Sequence, residues 1–354
     1  MLKHVHKPQK SAVLRTYWQF AAKRQKLFFD RLYGVAGSND DADPVLAKHR
    51  FTNVYRASDR VSQYLIRHVQ YNKDWSDEDL LFRTLLFKFF NKIETWEGLE
   101  RRLGAITWEN YDFALLDECL SEMRRSGAAI YSAAYIMPSG KSAFGHDAKH
   151  QNHLKLLELI MADDGARRIP GFNDLESVYQ YILSFPTIGP FTGYQYTIDL
   201  NYSPLVRFEE AEFVVAGPGA LDGIRKCFTD LGSYSAQDII NYMYDIQEDE
   251  FERYAPDFKS LWGRRMQPID CQNVFCEVDK YARVVHPEIS GVSGRKRIKQ
   301  IYKRNERPPD APWYPPKWSL NEAIANDSNV IRKNQQDRQE PLQLSLSIDP
   351  FSTG

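Results

Sequence analysis

The strongest chemical signal in the sequence lies at residues 185–193, which read Phe-Pro-Thr-Ile-Gly-Pro-Phe-Thr-Gly. Pro186 and Gly189 favour a tight turn, and Pro190 suits the first turn of a following helix. A helix that begins at such a turn presents backbone N–H groups and the positive end of its dipole, which together bind phosphate. The stretch therefore predicts a contact with a nucleic-acid backbone. The residues assigned to this contact are Thr187, Gly189, Phe191, Thr192 and Gly193.

This turn is similar to the helix-hairpin-helix of DNA repair glycosylases, whose pattern is apolar-Pro-Gly-apolar-Gly-x-x-Thr-Ala. Thr187 stands where Gly is usual, and Gly193 stands where Ala is usual. Phe191 occupies the position of the Lys that forms a Schiff base in some of these enzymes. The resemblance thus implies a monofunctional reaction without an amine nucleophile. Any helical hairpin can also carry Pro and Gly in this way.

A catalytic carboxylate is the second feature that the resemblance implies, about twenty residues after the hairpin Gly. Three Glu residues stand at that distance, before the Gly-rich residues 217–220. Glu212 is the preferred candidate because it enters this turn, and Asp199 is the alternative. A carboxylate beside an anomeric carbon stabilises an oxocarbenium-like transition state. An acidic run is also typical of a solvated surface. Gly217 and Gly219 are assigned to DNA-backbone binding.

Polar residues also share one face of a predicted helix at 269–284, at spacings of three and four. Val274 and Phe275 indicate that the rest of this helix is buried. Buried polar groups need partners, and an extruded base would supply them through its Watson–Crick edge. The alternative is a surface face with ion pairs. Asp270 is a third candidate catalytic carboxylate, and the predicted base pocket consists of Asn273, Glu277, Lys280 and Tyr281.

The four cysteines do not indicate a metal site. Cys271 and Cys276, taken with His286, match no zinc-ligand spacing. We expect reduced, buried thiols, no metal and no cofactor. His146, His150 and His153 share one helix face. They could offer imidazoles to a phosphate or a metal, or form a polar rim.

The elements that must position these residues are predicted to be helices, because no segment alternates as a strand does. One helix is expected after the Ser76–Asp79 capping box and one after Thr107. Further helices are predicted at 16–31, 146–161, 174–183, 192–200, 222–231, 235–244 and 269–284. The expected fold is mostly α, of the helix-hairpin-helix DNA-glycosylase-like type.

Composition excludes several classes of protein. A net charge of −1 over 354 residues argues against a wholly basic nucleic-acid binder, but basic residues concentrate in 1–31 and 295–304. Such local stripes suit phosphate contacts on one face, although solvated helix faces explain either stretch equally well. No apolar run is long enough to span a membrane, and the Lys-rich start without an apolar stretch behind it leads us to expect no secretory signal. We expect a cytoplasmic protein of a bacterial or phage-infected cell.

Residues 1–318 are predicted to form one helical catalytic domain with basic N- and C-terminal stretches. The Pro-rich residues 308–316 predict an extended, wrapping segment, and the polar residues 319–354 predict a disordered tail. The tail contains Gln343, Leu344 and Leu346, which are similar to the peptide that binds the bacterial sliding clamp. The final Phe of that peptide is absent.

Several blocks together resemble a known family. They are residues 52–60, 87–91, 217–220, 270–273 and 279–283. The family is the α-glutamyl/putrescinyl thymine pyrophosphorylases, also described as the helical domain linked to 5-hydroxymethyluracil DNA kinases, and the resemblance covers roughly residues 15–290. It implies a glycosylase-like helical fold that acts on C5-modified pyrimidines in phage or bacterial DNA. No kinase-type Gly-x-x-x-x-Gly-Lys-Ser/Thr loop is present.

Three functions follow from this resemblance and these residues. The preferred one is a monofunctional glycosylase that extrudes a modified pyrimidine and cleaves its N-glycosidic bond. Related bacterial proteins resemble glycosylases that remove modified bases from phage DNA. The second is a transferase that displaces an activated group on 5-hydroxymethyluracil with an amine or amino acid. The third is a non-catalytic protein that binds modified DNA. Both enzymatic functions require extrusion of the base.

Overall fold

The computed structural model describes residues 6–35, 43–303 and 311–339, and this part of the chain is mostly helical, as predicted. None of its helices combines the length and apolar character that a membrane span requires. The helices of the first half are α1 Ala12–Leu32, α2 Pro44–Lys48, α3 Arg60–Tyr64, α4 Asp77–Phe90, α5 Ile93–Leu103, α6 Phe113–Arg125, α7 Lys141–Phe144, α8 Lys149–Ala162 and α9 Gly165–Arg168. Those of the second half are α10 Leu175–Leu183, α11 Pro190–Tyr202, α12 Pro218–Cys227, α13 Ala236–Tyr254, α14 Pro268–Val285, α15 Asn321–Ala325 and α16 Ser328–Gln339.

One small sheet forms where the sequence showed no strand pattern. Strand β1, Gln9–Lys10, pairs antiparallel with β2, Phe228–Asp230. The helix predicted at 222–231 therefore ends at Cys227, whose carbonyl accepts a hydrogen bond from Ser11 N at 2.9 Å. This pairing joins segments far apart in sequence, so local periodicity could not indicate it.

Of the two helix starts predicted from capping residues, the one at Ser76 is confirmed and the one at Thr107 is wrong. The Ser76 hydroxyl caps α4 by accepting from Asp79 N at 3.1 Å. Helix α6 is capped by Asp112, not by Thr107. Thr107 instead accepts from Asn110 N in the preceding turn. Both residues suit an N-cap, and the Asp stands directly before the helical residues.

The core is built around α14, which packs against α1, α12 and α13. Helix α12 approaches it most closely, since a Cβ at Gly223 would lie 2.1 Å from the Phe275 carbonyl oxygen. Helix α1 also contacts it, because the ring centroids of Tyr17 and Phe275 lie 4.8 Å apart. Helix α14 is therefore enclosed on most of its surface, and polar side chains along it are buried as well.

Two helices, α15 and α16, occupy residues where the sequence predicted a disordered tail from 319 onwards. Val330 is buried against Phe29 and Leu32 at the end of α1, and Asp327 accepts hydrogen bonds from Tyr33 and Trp262. The segment is ordered by these distant partners rather than by its own weak periodicity. Residues 340–354, including the predicted clamp peptide with Gln343, Leu344 and Leu346, lie outside the described residues.

Helices α10 and α11 form the predicted hairpin around residues 184–189. Thr187 has a φ of 68°, a left-handed conformation that Gly adopts at no steric cost. The turn thus keeps the shape that a Gly would give it, although the side chain is a Thr. The specific glycosylase-like fold stays a prediction, whereas the local hairpin is present.

Candidate functional site

Three charged side chains from distant elements meet in the interior of the protein. Asp199 of α11 is fully buried, and its carboxylate lies 2.8 Å from Arg56 Nη1 and 3.2 Å from Lys88 Nζ. Arg56 comes from the 3₁₀ turn Arg56–Ser58, and Lys88 comes from the last turn of α4. We refer to Arg56, Lys88 and Asp199 as the ion cluster.

Further hydrogen bonds hold the ion cluster, as buried charges require. The Arg56 Nε donates to Gln195 Oε1 at 2.8 Å, and Lys88 Nζ donates to Asn91 Oδ1 at 2.6 Å. A π-helical stretch, Leu65–Gln70, continues α3 and ends at Gln70, whose amide donates to the Asp199 carbonyl at 2.8 Å. Each member of the cluster is therefore fixed from more than one element.

The electrostatics of the cluster favour an additional anion. Two cationic side chains share one carboxylate, and the described residues provide no second carboxylate in direct contact with either. Burial lowers the pKa of Lys88, and the Asp199 charge opposes this; the same carboxylate raises the pKa of Arg56 above its usual value despite burial. The carboxyl groups of Asp59 and Asp270 lie nearby without contacting either cationic side chain. An anionic group that reached Arg56 and Lys88 would therefore meet two cations that share one directly bound carboxylate in a low-dielectric interior.

Asp270 lies close to the ion cluster through the same arginine. Its carboxylate accepts from Arg56 N at 2.8 Å and from Gln267 N at 2.9 Å, which completes the capping box of α14. Burial raises its pKa to about 7, and the Glu210 charge adds to this. Asp270 therefore positions the Arg56 backbone, while the Arg56 side chain reaches Asp199.

An aromatic pair covers the ion cluster. The Tyr135 ring centroid lies 5.1 Å from Lys88 Nζ and 5.9 Å from Arg56 Cζ, a cation–π arrangement. The ring also stacks on Phe191 of the hairpin, with centroids 5.9 Å apart and planes inclined by 12°. The predicted DNA-binding hairpin and the ion cluster thus meet at Tyr135.

Gly217 and Gly219, predicted to bind the DNA backbone, lie where α12 begins. A Cβ at Gly217 would come within 2.6 Å of the Phe191 ring, and one at Gly219 would lie 3.0 Å from Cys276 Sγ. The Gly217 N–H donates to Gln272 Oε1 at 2.9 Å. In this structure both glycines permit close packing, and the Gly217 N–H is engaged within the protein.

The hairpin residues differ in how they face their surroundings. Gly189 borders open space, because a Cβ there would meet no atom within 4 Å. Thr192 is partly exposed, whereas Gly193 is buried and donates its N–H to the Gly189 carbonyl at 2.8 Å. The Thr187 hydroxyl is buried and finds no hydrogen-bond partner among the residues that the structure describes. Of the five residues of the predicted phosphate contact, Gly193 is buried, whereas Thr187, Gly189, Phe191 and Thr192 are partly exposed.

The polar face of α14 engages a loop of the protein. Asn273 Nδ2 donates to the Asn53 carbonyl at 2.7 Å, and Thr52 N donates to the Glu277 carboxylate at 3.2 Å. The two side chains thus hold residues 52–53, which shortly precede Arg56 in the block 52–60. Their assignment to a base pocket stays a prediction. In this structure their polar groups form hydrogen bonds within the protein.

The other two predicted pocket residues also have partners. Lys280 Nζ forms an ion pair with Glu277 at 2.6 Å, and the Tyr281 hydroxyl donates to the Asp43 carboxylate. The polar alignment along α14 was therefore visible in the sequence, but the sequence did not indicate which groups would satisfy it.

Glu212 differs from the other two candidate carboxylates because it is exposed to solvent. Its side chain is exposed, at the end of the 3₁₀ turn Glu210–Glu212. Glu210 is the buried member of this acidic run and pairs with Arg264 at 2.9 Å. The structure brings Asp199 and Asp270 together around Arg56, and it leaves Glu212 at the surface.

The three histidines do not converge. His150 is buried and lies 2.7 Å from the Asp117 carboxylate, while His153 contacts Tyr131 and Pro138; His146 precedes α8 and is only partly buried. Within the described ranges, no group of three His, Cys, Asp or Glu residues could hold a metal ion.

Sequence reasoning missed Arg56, Lys88 and Tyr135 as site residues. Arg56 and Lys88 lie in the two blocks, 52–60 and 87–91, that carry the family resemblance. Lys88 also interrupts a run of aromatic residues at 87–90, an expensive place for a charge unless it is paired. That interruption was the available signal. Tyr135 has no comparable signal, since its loop follows no regular pattern.

Comparison with known proteins identifies the family. A family model described as 5-hmdU DNA kinase, helical domain, matches residues 11–291. The chain belongs to this family. It is also 26% identical over 324 residues to a protein of Bacillus phage SP10 named 5-hmdU DNA kinase, covering 86% of this chain and 50% of that relative. No solved structure matches the chain.

Membership of the 5-hmdU DNA kinase helical-domain family confirms one expectation and overturns another. The resemblance to the helical domain of 5-hydroxymethyluracil DNA kinases is confirmed. The preferred glycosylase function is wrong, because the family and the phage relative are both named for a DNA kinase, which is a transferase. The error arose because a hairpin of this kind, even if it binds phosphates as predicted, does not specify the reaction beside it. The chain spans about half the length of this relative.

Proposed function

We propose that this chain acts on 5-hydroxymethyluracil in DNA as a transferase, in which an amine or amino acid displaces an activated phosphate or pyrophosphate group from the C5 methylene. Two lines support the proposal. The family and the phage relative are named for 5-hmdU DNA, and phosphorylation of a hydroxymethyl group creates a good leaving group at that carbon. The proposal is the second of the three functions considered from the sequence.

The ion cluster is the observation that carries the proposal. Arg56 and Lys88 share the single carboxylate of Asp199, at 2.8 and 3.2 Å. Negative charge grows on the leaving oxygen as its bond to carbon breaks. Preorganised cations beside that oxygen stabilise the transition state more than the ground state. Asp199 serves to position both cations in this scheme.

The reaction balances without a bound cofactor. The nitrogen lone pair of the amine forms a bond to the C5 methylene carbon, and the bond from this carbon to the ester oxygen breaks. The phosphate departs with that electron pair and takes up the proton that the amine loses. The products are an aminomethyl pyrimidine in DNA and free phosphate or pyrophosphate.

The base must leave the duplex before the interior cations can reach its substituent. The hairpin supplies a contact for the DNA backbone at the start of α11, where Gly189 borders open space. Arg295, Lys296, Arg297 and Lys299 are exposed and provide further positive charge for phosphates. Phe191 links the hairpin to the ion cluster, because it belongs to α11 and stacks on Tyr135.

Phosphotransfer is the second candidate, because the phage relative is named a kinase. This activity requires a site for a nucleoside triphosphate. The nearest sequence to a phosphate-binding loop is Gly140-Lys141-Ser142, but Tyr135 stands where the first Gly of that pattern belongs. The helix that follows has only four residues, and Lys141 pairs with Asp147 at 2.6 Å. These features favour displacement over phosphorylation for this chain.

One experiment distinguishes the candidates. The protein is incubated with duplexes that contain 5-hydroxymethyluracil or its phosphorylated or pyrophosphorylated form, with amine donors in one arm and ATP in the other. Nucleosides are then analysed by mass spectrometry. An amine-substituted nucleoside with release of phosphate supports displacement, and a phosphorylated nucleoside that requires ATP supports the kinase. Unchanged nucleosides in every arm would overturn both.

Variants connect the activity to the ion cluster. Arg56→Met and Lys88→Met should each lower product formation by at least a hundredfold, the scale of one lost electrostatic contact to a transition state. Arg60→Met is the matched control, since Arg60 is exposed and forms a surface ion pair with exposed Glu94 at 3.4 Å. Retained activity in both cluster variants, with the fold verified by circular dichroism, would refute the assignment.

A further inference from the structure

Tyr135 has a backbone conformation that bulky residues rarely adopt. Its φ is 57°, in the left-handed region. Such a conformation costs of order 1–3 kcal/mol and persists only where the surroundings enforce it. Its neighbours Ala133, Ala134 and Ile136 are exposed, so little packing comes from the loop itself. The contacts of the Tyr135 ring, rather than packing of the loop, therefore hold this strained backbone conformation.

The loop that carries Tyr135 is fixed at both ends and not at its tip. His153 of α8 contacts the Tyr131 hydroxyl and the Pro138 carbonyl, each at 2.9 Å. Ser132 N donates to the Phe90 carbonyl at 2.9 Å. At the tip, residues 133–136, the contacts are the hydrogen bond from Ala134 N to Ser132 Oγ at 3.1 Å and the ring contacts of Tyr135, so displacing Tyr135 leaves the anchors in place.

The Tyr135 ring is held by its faces. One face stacks on Phe191, and the ring lies 5.1 Å and 5.9 Å from the Lys88 and Arg56 cations. Among the described residues, no hydrogen bond of the Tyr135 hydroxyl is found. A six-membered ring, stacked on an aromatic residue with two buried cations nearby, has the environment that a pyrimidine with an anionic substituent would need.

We propose that Phe191, Arg56 and Lys88 form a binding site for a flat ring that carries an anionic substituent, and that Tyr135 occupies the place of this ring in the present structure. The ligand class is an extruded pyrimidine with a phosphorylated C5 methylene, which rests on the proposed function. Tyr135 leaves when the base enters: the base stacks on Phe191, and its phosphate binds the two cations. Tyr135 thus competes with the substrate and excludes smaller anions from the cluster.

The test uses a probe that needs neither DNA nor turnover. Binding of inorganic pyrophosphate is measured by calorimetry for the wild type, Tyr135→Ala, Tyr135→Gly and Tyr135→Phe. Removing a group that occupies the site about nine-tenths of the time strengthens binding roughly tenfold. We expect this gain for the Ala and Gly variants and no gain for Phe, which keeps the ring. The Gly variant also retains the left-handed backbone without strain.

Ile136→Ala is the matched control, because Ile136 lies on the same loop and is 70% exposed. It should bind pyrophosphate as the wild type does. The same variants are then titrated with a duplex that contains one phosphorylated 5-hydroxymethyluracil, where the Gly variant should again gain about tenfold over the wild type. Unchanged or weaker pyrophosphate binding in both the Ala and Gly variants would overturn the proposal. A gain for pyrophosphate without any DNA binding would leave this site standing and would count against the proposed function.

Discussion

Gly223 of α12 lies directly against Phe275 of α14, with space for no side chain between the two backbones. A Cβ at position 223 would be 2.1 Å from the Phe275 carbonyl oxygen and 2.7 Å from its carbonyl carbon. Because both obstacles are backbone atoms, the helices must separate to accept a methyl group. Separation would also shift Gly217 at the start of α12, which packs against the Phe191 ring of α11, and with it the site.

Gly223→Ala should therefore lower the free energy of unfolding by about 3 kcal/mol, the upper range for overpacking. Urea denaturation followed by circular dichroism measures the change. Gly171→Ala is the control, because Gly171 is exposed and a Cβ there meets nothing within 4 Å. Equal unfolding midpoints for the two variants would show that α12 and α14 do not pack as described.

Asp199→Asn should destabilise the protein by about 3–5 kcal/mol, because it leaves Arg56 and Lys88 as buried charges without a carboxylate. Adding Lys88→Met should recover part of this loss, since one of the uncompensated charges disappears. Urea denaturation of the two single variants and the double variant gives the coupling free energy. Asp147→Asn is the control, as it breaks a surface pair with Lys141 and should not change the unfolding midpoint measurably. Strictly additive effects of Asp199→Asn and Lys88→Met would contradict the ion cluster.

Thr187→Gly should stabilise the protein by about 1 kcal/mol. The left-handed φ of 68° costs a residue with a Cβ roughly 1–2 kcal/mol, and the greater freedom of Gly in the unfolded chain offsets only part of this. Thr187→Ala removes the buried unpaired hydroxyl but keeps the backbone strain, so its gain should be smaller. Thermal unfolding of the two variants compares these effects. A destabilised Thr187→Gly would show that the Thr side chain supports the hairpin.

Acid should weaken the anchor of the Tyr135 loop through His153. Burial lowers the pKa of this histidine to about 4. The unfolded state protonates near pH 6.5, so the folded state loses stability, by about 3 kcal/mol, as the pH falls from 6.5 towards 4. A protonated ring can no longer accept from the Tyr131 hydroxyl while donating to Pro138.

The measurement for His153 is an NMR titration of its ring protons, assigned with a His153→Gln variant. The ring should stay neutral down to pH values near 4. A site-specific reading is needed, because Asp270, with its pKa raised to about 7, takes up a proton over the same range and changes stability in the opposite sense. Titration of His153 at an ordinary pKa near 6.5 would contradict the buried anchor.

Much of the local structure followed from the sequence. The apolar spacing predicted α1, α4, α8 and α14 within a few residues, and Ser76 marked a helix start correctly. The hairpin of α10 and α11 was predicted from Pro186, Gly189 and Pro190. These features depend on interactions between residues close in sequence, which local patterns report directly. The ordered blocks also identified the kinase-associated family that the comparison confirmed.

The tertiary structure alone decided which charges meet. The sequence offered Glu212, Asp199 and Asp270 as carboxylates, and only packing shows that Arg56 joins the latter two while Glu212 is exposed. Periodicity specifies which face of a helix is buried, but it does not specify which distant element that face meets. The same holds for α16, which is ordered by the end of α1, and for Tyr135, which reaches the ion cluster from an irregular loop.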